Sequence, residues 1–154
     1  MDKQTVLREH ILELLEGKFA HIGLETAIKR FPVSKINASV ENSPHTAWEL
    51  LEHIRIAQWD ILEFSRDASH VSPDFPDGYW PKAEGTAETW QKSAAQILKD
   101  LHAMRDLVAD KNTNLFAKIA HGDGQTILRE ALVLADHNAY HLGQIMLLKK
   151  MFSK

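Results

Sequence analysis

The sequence predicts an all-α protein built as a four-helix bundle, and three observations support this. Four long stretches carry apolar residues at helical spacing, with almost no strand pattern between them. The chain has 154 residues, which suits a single domain (1–154) with a sizeable core. The connection between the second and third long helices is about 18 residues, far longer than adjacent antiparallel helices need. This connection favours a long crossover between parallel helices over an up-down-up-down order.

The first third of the chain predicts one long and one short helix. The long helix covers about 3–16 and ends at Gly17, a residue that breaks helices. The short helix covers 21–30 and ends at Phe31-Pro32, since proline cannot continue a helix.

Three further long helices follow. Ser43-Pro44 is typical of an N-cap and a first-turn proline, so the second long helix is predicted from there to about Arg66. The third begins near Thr86, and the last covers about 126–150 after the turn HGDGQT. In the third helix, apolar residues recur at alternating intervals of four and three, as in a packed bundle: Trp90, Ala94, Ile97, Leu101, Met104 and Val108.

Composition makes several classes of function improbable. The net charge is −3 and no dense basic block occurs, which argues against a nucleic-acid partner. No run approaches the roughly 20 apolar residues that span a bilayer, so no membrane partner is expected. The N-terminal segment is charged and amphipathic, unlike a secretory signal. The chain has no cysteine, which excludes disulfides and thiolate ligands and is compatible with a cytoplasmic location.

Histidines carry the clearest chemical pattern, with nine in the chain. His137 and His141 are four residues apart in the last helix, so both rings lie on one face and could hold one metal ion. By itself this spacing is also typical of a surface pair or a hydrogen-bonded pair. A lone histidine such as His53, next to the apolar seam of the second long helix, is typical of a core or boundary residue. Paired with the doublet across the bundle, it could provide a third ligand.

Other known metal motifs do not fit. An HExxH protease motif needs Glu where this chain has Asn138. A di-iron bundle needs Glu three residues before a histidine, and that pattern is absent. The sequence therefore predicts a mononuclear, all-histidine site with at least one open position, as catalytic sites have.

Two segments, ELLEHIRIAQWDILEF and HGDGQTILREALVLADHNAYHLGQI, resemble the DinB-like family of metal-binding four-helix bundles, as does GKFAHIGLETAIKRFP. The resemblance covers nearly the whole chain, and AYHLGQI is its most specific part. It implies an up-down-down-up bundle, a divalent metal on His53, His137 and His141, and a homodimer. Related branches are S-transferases and isomerases that use thiols such as bacillithiol or mycothiol, while many members have no assigned reaction.

Three hypotheses about function follow, and the first two assume a small-molecule substrate. In the first, a metal-dependent S-transferase activates a low-molecular-weight thiol, because the chain has no cysteine of its own. The second is metal-dependent hydrolysis, and the third is a non-catalytic metal-binding or stress-response protein. Ligands of this type suit zinc or nickel, and iron is the alternative.

Three residues of the last helix lie near the predicted ligands and are candidates for catalysis. Gln144 could orient a metal-bound water, or be an ordinary surface glutamine. Tyr140 could cap a ligand or pack between helices. Glu130 could act as a general base, although anchoring Arg129 is the simpler role.

Three more residues have weaker signals. His21 could line the mouth of the cavity, and Asp60 could accept a ring N–H from another helix. His121, in the HGDG turn, could lie at the entrance or simply be an exposed turn residue. The remaining histidines are predicted to be ordinary surface or capping residues: His10, His45, His70 and His102.

Overall fold

The computed structural model describes residues 2–17 and 19–153, and these residues form five α-helices and no β-strand. The helices are α1 (Lys3–Glu16), α2 (Leu24–Lys29), α3 (Ala47–Arg66), α4 (Ala87–Ala109) and α5 (Ile127–Met151). Short 3-10 turns lie in two of the connections, at Val33–Lys35 and Asp77–Tyr79. The all-α prediction is confirmed.

Most helix ends agree with the sequence pattern. Gly17 ends α1 in the left-handed region at φ 64°, which glycine adopts at no steric cost. Thr86 and Thr126 are the N-caps of α4 and α5. The short helix α2 is narrower than the predicted 21–30, because the chain is still extended at its N-cap, Gly23.

The start of α3 differs from the prediction at Ser43-Pro44. Thr46 is the N-cap, and it forms a capping box in which its side chain accepts from the Glu49 N–H while Glu49 Oε2 accepts from the Thr46 N–H at 2.7 Å. Ser43 Oγ instead donates to the carbonyl of His45 at 2.8 Å. The reciprocal cap satisfies two backbone donors that Ser43 could not reach, so α3 begins at Ala47.

Contacts between the helices fix their directions. Near the start of α3, Trp48 Nε1 donates to the carbonyl of Ala83, just before α4, and Gln58 Nε2 donates to the Ile97 carbonyl further along both helices. Because a later residue of α3 contacts a later residue of α4, the two helices run parallel. Arg8 of α1 donates to the carbonyl of Val108, near the end of α4, at 2.5 Å, whereas Leu15, later in α1, lines a cavity with Leu98, earlier in α4. Helix α1 therefore runs against α4.

Helix α5 runs against α3. His53 meets His137, whereas Phe64, near the end of α3, has its carbonyl bonded to His121 before α5 begins. The bundle is therefore up-down-down-up in the order α1, α3, α4, α5, and residues 67–86 form the crossover between the two parallel helices. The topology agrees with the prediction made from the length of this connection.

Two apolar clusters form the core, with a polar chain between them. One cluster includes Leu51, Ile54 and Ile145, and the other includes Leu62 and Met104. Between them, Asn138 Nδ2 donates to Gln58 Oε1 at 2.7 Å, and Gln58 donates onward to α4. In the described part of the chain, no helix combines the length and apolar character needed to cross a membrane.

Candidate metal centre

The structure brings together the three histidines that the sequence singled out. His53 comes from α3, and His137 and His141 come from one face of α5. The ring centroids of His53 and His137 are 4.8 Å apart, those of His53 and His141 are 4.6 Å apart, and those of the two α5 rings are 4.5 Å apart. One ring nitrogen from each lies within 4.8 Å of the others, so the cluster could hold a metal ion.

Hydrogen bonds set the tautomers of two of these rings. His53 Nδ1 lies 2.9 Å from the carbonyl of Tyr79, which can only accept, so Nδ1 carries the proton. His141 Nδ1 lies 2.7 Å from Gln144 Oε1 and donates to it. In both rings Nε2 is then unprotonated and able to bind a metal, an arrangement that metal-binding histidines commonly show.

His137 provides the test of whether a metal fits. Its Nε2 is 3.0 Å from His53 Nε2, and its buried Nδ1 has no hydrogen-bond partner. With the proton on Nε2, His137 donates to His53 but leaves a buried acceptor unpaired. With the proton on Nδ1, two lone pairs face each other at 3.0 Å. A cation between the lone pairs would relieve the second arrangement, so the residues present fit a divalent ion.

All three rings are kept neutral near pH 7. Burial, followed by the charges of His141 and His53, lowers the pKa of His137 to about 4. Burial is also the main cause of the lowered pKa of His53 and of His141, and for each a hydrogen bond partly offsets it. Neutral imidazole is the form that binds metal, so little proton competition is expected at neutral pH.

Aromatic rings enclose one side of the cluster. Trp80, from the crossover, stacks on His53 with ring centroids 4.1 Å apart and planes 5° apart. His45 stacks on Trp80 at 4.0 Å. The edge of Tyr140 meets His141 with centroids 4.9 Å apart, although Tyr140 itself is 65% exposed. Tyr140 therefore covers one ring of the cluster from the solvent side and does not pack between helices.

A groove of about 240 Å³ lies near the cluster, although its described lining contains none of the three clustered histidines. Its wall includes Gln144, which bonds His141, and His45, whose positive charge would lower the pKa of both His53 and His141. Its apolar side is formed by Leu50, Leu147, Leu148 and Met151. A small molecule with an apolar body fits a groove of this character next to a polar centre.

The other candidates on α5 have different surroundings. Gln144 contacts a clustered histidine, as its position predicts. Glu130 is 4% exposed and accepts from Arg129 Nη1 at 2.5 Å, in agreement with the anchoring role. It lies seven residues before His137, about 10 Å along the helix axis, so it is remote from the cluster.

The weaker candidates also lie at defined places. His21 lines a different cavity of about 110 Å³, whose described lining contains none of the three clustered histidines. His121 Nε2 donates to the Phe64 carbonyl at 2.7 Å in the exposed turn. Asp60 does accept a ring N–H, but from His70 in the crossover, at 2.7 Å. The side chain of His70 is only 6% exposed, so its prediction as a surface residue is wrong.

Sequence reasoning missed Tyr79, Trp80 and His45 as neighbours of the cluster. Each belongs to a connection without helical periodicity, so spacing gives no signal for where its side chain lies. The sequence offered only a composition cue, the aromatic pair in PDFPDGYWP.

The protein is a four-helix bundle in which three histidines cluster between the second and fourth long helices. This arrangement places it in the class of helical bundles that could bind a metal ion in their interior. The chain belongs to the DinB superfamily, whose family model matches residues 22–145. No curated protein and no solved structure matches the chain.

Proposed function

We propose that this protein is a metal-dependent enzyme that binds one divalent ion through His53, His137 and His141 and transfers a small-molecule thiol to an electrophile. The observation that carries the proposal is the convergence of three neutral imidazoles, two of which have their Nδ1 protons engaged elsewhere. Zinc or nickel suits such ligands, and iron is the alternative.

A bound ion would supply a full 2+ charge, since the three ligands are neutral, and would favour the ionised form of a thiol or water beside it. Because the chain has no cysteine, the sulfur must come from a small molecule. The protein itself positions the reacting groups. Tyr79 orients the ring of His53, Gln144 orients the ring of His141, and the groove holds the apolar body of the electrophile.

The step also needs a proton acceptor, and we assign this role to His45, which lines the groove and stacks on Trp80, the ring that also stacks on His53. The His45 side chain is 34% exposed at the groove, so it can contact both solvent and substrate. In the proposed step the thiol loses its proton to His45, and its sulfur forms a bond to the electrophilic carbon. The leaving group departs with the electrons of the broken bond.

The first test is metal content of untagged protein purified without chelator. We expect about one ion per chain in the wild type, loss in His137→Ala, and retention in His10→Ala, which removes an exposed histidine of α1. Failure of the wild type to bind zinc or nickel, even on addition, would overturn the proposal.

The second test is turnover of an activated aryl chloride with and without a panel of low-molecular-weight thiols. Chloride release that depends on both thiol and metal, and that His137→Ala abolishes, supports the transferase. Ester hydrolysis without thiol would point to the hydrolase instead. Tight metal binding with no turnover in either assay would favour the non-catalytic metal-binding protein.

A further inference from the structure

The crossover holds the ring of His53 in two ways. The backbone carbonyl of Tyr79 accepts the Nδ1 proton at 2.9 Å, and Trp80 stacks on the ring face with centroids 4.1 Å apart. The carbonyl fixes which nitrogen is protonated, and the stack fixes the ring plane. The tautomer and orientation of His53 therefore depend on where residues 79 and 80 lie.

Asp60 in turn determines where Tyr79 lies. One carboxylate oxygen accepts from the Tyr79 hydroxyl at 2.6 Å, and the other accepts from His70 Nε2 at 2.7 Å. The Asp60 side chain is only 13% exposed, so these two donors replace most of the hydration that its charge would otherwise have. Burial, followed by the bond to Asp60, raises the pKa of Tyr79, so the phenol stays a donor.

Tyr79 therefore lies along α3 and spans two positions of that helix. Its carbonyl meets His53 and its hydroxyl meets Asp60, seven residues further along the chain and about 10 Å along the helix axis. Because both positions belong to one rigid helix, anchoring the hydroxyl restricts the carbonyl at the other end of the residue.

We propose that Asp60 is a positioning residue for the metal centre, acting on His53 through Tyr79. The inference rests on the proposed metal site and adds a residue two turns away from the ligand. Groups that orient ligating histidines commonly change metal affinity by 10- to 100-fold when they are removed.

The test measures zinc affinity by competition with a chromophoric chelator in Tyr79→Phe, Asp60→Asn and the double variant. Tyr79→Phe keeps the ring and the carbonyl and removes only the hydroxyl. We expect each single variant to raise the Kd for zinc roughly ten-fold. The double variant should bind no more weakly than Asp60→Asn alone, because both changes break the same connection.

Ser65→Ala is the matched control, since it removes a largely buried hydroxyl of α3 whose bond goes to the Ile61 carbonyl. Its Kd should stay within about two-fold of the wild type. A second readout is the ¹⁵N NMR spectrum of the His53 ring in the metal-free protein, where both single variants should lose part of the Nδ1–H tautomer. A general loss of stability would not change this tautomer ratio in the folded population.

The two proposals fail in different ways. If the wild type does not bind zinc, the metal site itself fails. If the wild type binds zinc while Tyr79→Phe and Asp60→Asn, folded by circular dichroism, keep its Kd and its His53 tautomer, the metal site stands and the role of Asp60 is wrong. Additive losses in the double variant would likewise overturn the connection through Tyr79.

Discussion

His137 differs from the other two clustered histidines because its Nδ1 has no hydrogen-bond partner. His141 is 8% exposed, yet the larger pKa shift belongs to His137. The reason is that hydrogen bonds to Gln144 and Tyr79 partly offset the desolvation of His141 and His53, while nothing offsets that of His137. His137 is therefore the ring of the three whose neutral form is most favoured.

This difference predicts how the metal-free protein responds to acid. The pKa of His137 is about 4 in the folded chain and 6.5 when unperturbed, so between these values the unfolded chain binds the proton and the folded chain does not. The free energy of unfolding should therefore fall as the pH drops from 6.5 to 4, by an amount on the order of 3 kcal/mol.

Urea titrations in chelator at several pH values check this prediction. His137→Gln is the comparison, because the difference between the two pH profiles isolates this histidine from other groups, including Asp100, whose pKa burial raises. Parallel profiles for wild type and variant would contradict the assignment.

Gln144 offers a second prediction at the scale of a residue. Gln144→Ala removes the acceptor for His141 Nδ1, so zinc affinity should fall about ten-fold. Gln144→Glu restores an acceptor and should bind zinc at least as well as the wild type. Gln91→Ala, at an exposed position of α4, is the control and should leave the Kd unchanged. Equal affinity in all variants would show that Gln144 does not orient the ligand.

The three histidines of the cluster could be predicted from the sequence, but the residues that hold the His53 ring in place could not. His137 and His141 are linked by helical spacing, and His53 lies beside an apolar seam that must face the core. The partners Tyr79 and Trp80 lie 26 residues or more from His53 along the chain. Their positions depend on how the crossover folds back on α3. The crossover has no periodic sequence pattern from which this path could be predicted.

At the scale of elements, a close junction links the start of α3, and the loop before it, to the start of α4. Asn37 Nδ2 donates to the Gly85 carbonyl at 2.8 Å, and Asn37 Oδ1 accepts from the Gly85 N–H at 2.9 Å. A Cβ at Gly85 would lie 2.4 Å from the ring of Trp48. Helices α3 and α4 are thus held together at Gly85, just before α4 begins. There is no room for a side chain at this position.

One glycine substitution tests this junction, and a second serves as its comparison. Gly85→Ala should lower the free energy of unfolding by roughly 1–3 kcal/mol, because the Trp48 ring must move. Gly143→Ala, in the exposed middle of α5 with open space around the new Cβ, should raise it by about 0.5–1 kcal/mol. Chemical denaturation of both variants gives the comparison. A neutral Gly85→Ala would mean that the loop can retreat from Trp48.

Two of the long helices begin at the cap that the sequence predicts, and a third begins elsewhere because two residues compete for the cap. Thr86 and Thr126 stand alone before their helices, and both are caps. Before α3, Ser43 and Thr46 both qualify by residue type. Thr46 is the cap because Glu49 completes a capping box with it, a four-residue pattern that identifies the start better than Ser-Pro does.

At the scale of the whole molecule, the length of the crossover determined the topology. Residues 67–86 are too many for a turn between antiparallel neighbours, and they instead return the chain to the start of α3 so that α4 runs parallel to it. The same return places Tyr79 and Trp80 against His53. The segment that sets the fold is thus also the segment that supports the candidate metal centre.

The surface of α5 bears on the predicted homodimer. Four of its five exposed large apolar residues recur at intervals of seven and four and so form one stripe: Val133, Tyr140, Leu147 and Met151. The fifth, Leu132, lies next to Val133. Contiguous exposed apolar surface of this kind is typical of an interaction site. We expect a second copy of the chain to cover the stripe, which would bring a partner to the edge of the groove at Leu147.

Sedimentation velocity over a range of micromolar concentrations tests this expectation. The wild type should sediment as a dimer, and the variant carrying Val133→Glu and Tyr140→Glu should sediment as a monomer, because charges would be buried without partners. A control variant with Val71→Glu and Phe116→Glu adds the same charge at exposed apolar positions elsewhere and should remain dimeric. A monomeric wild type would contradict the homodimer, and a dimer that survives the α5 substitutions would place its interface on another face.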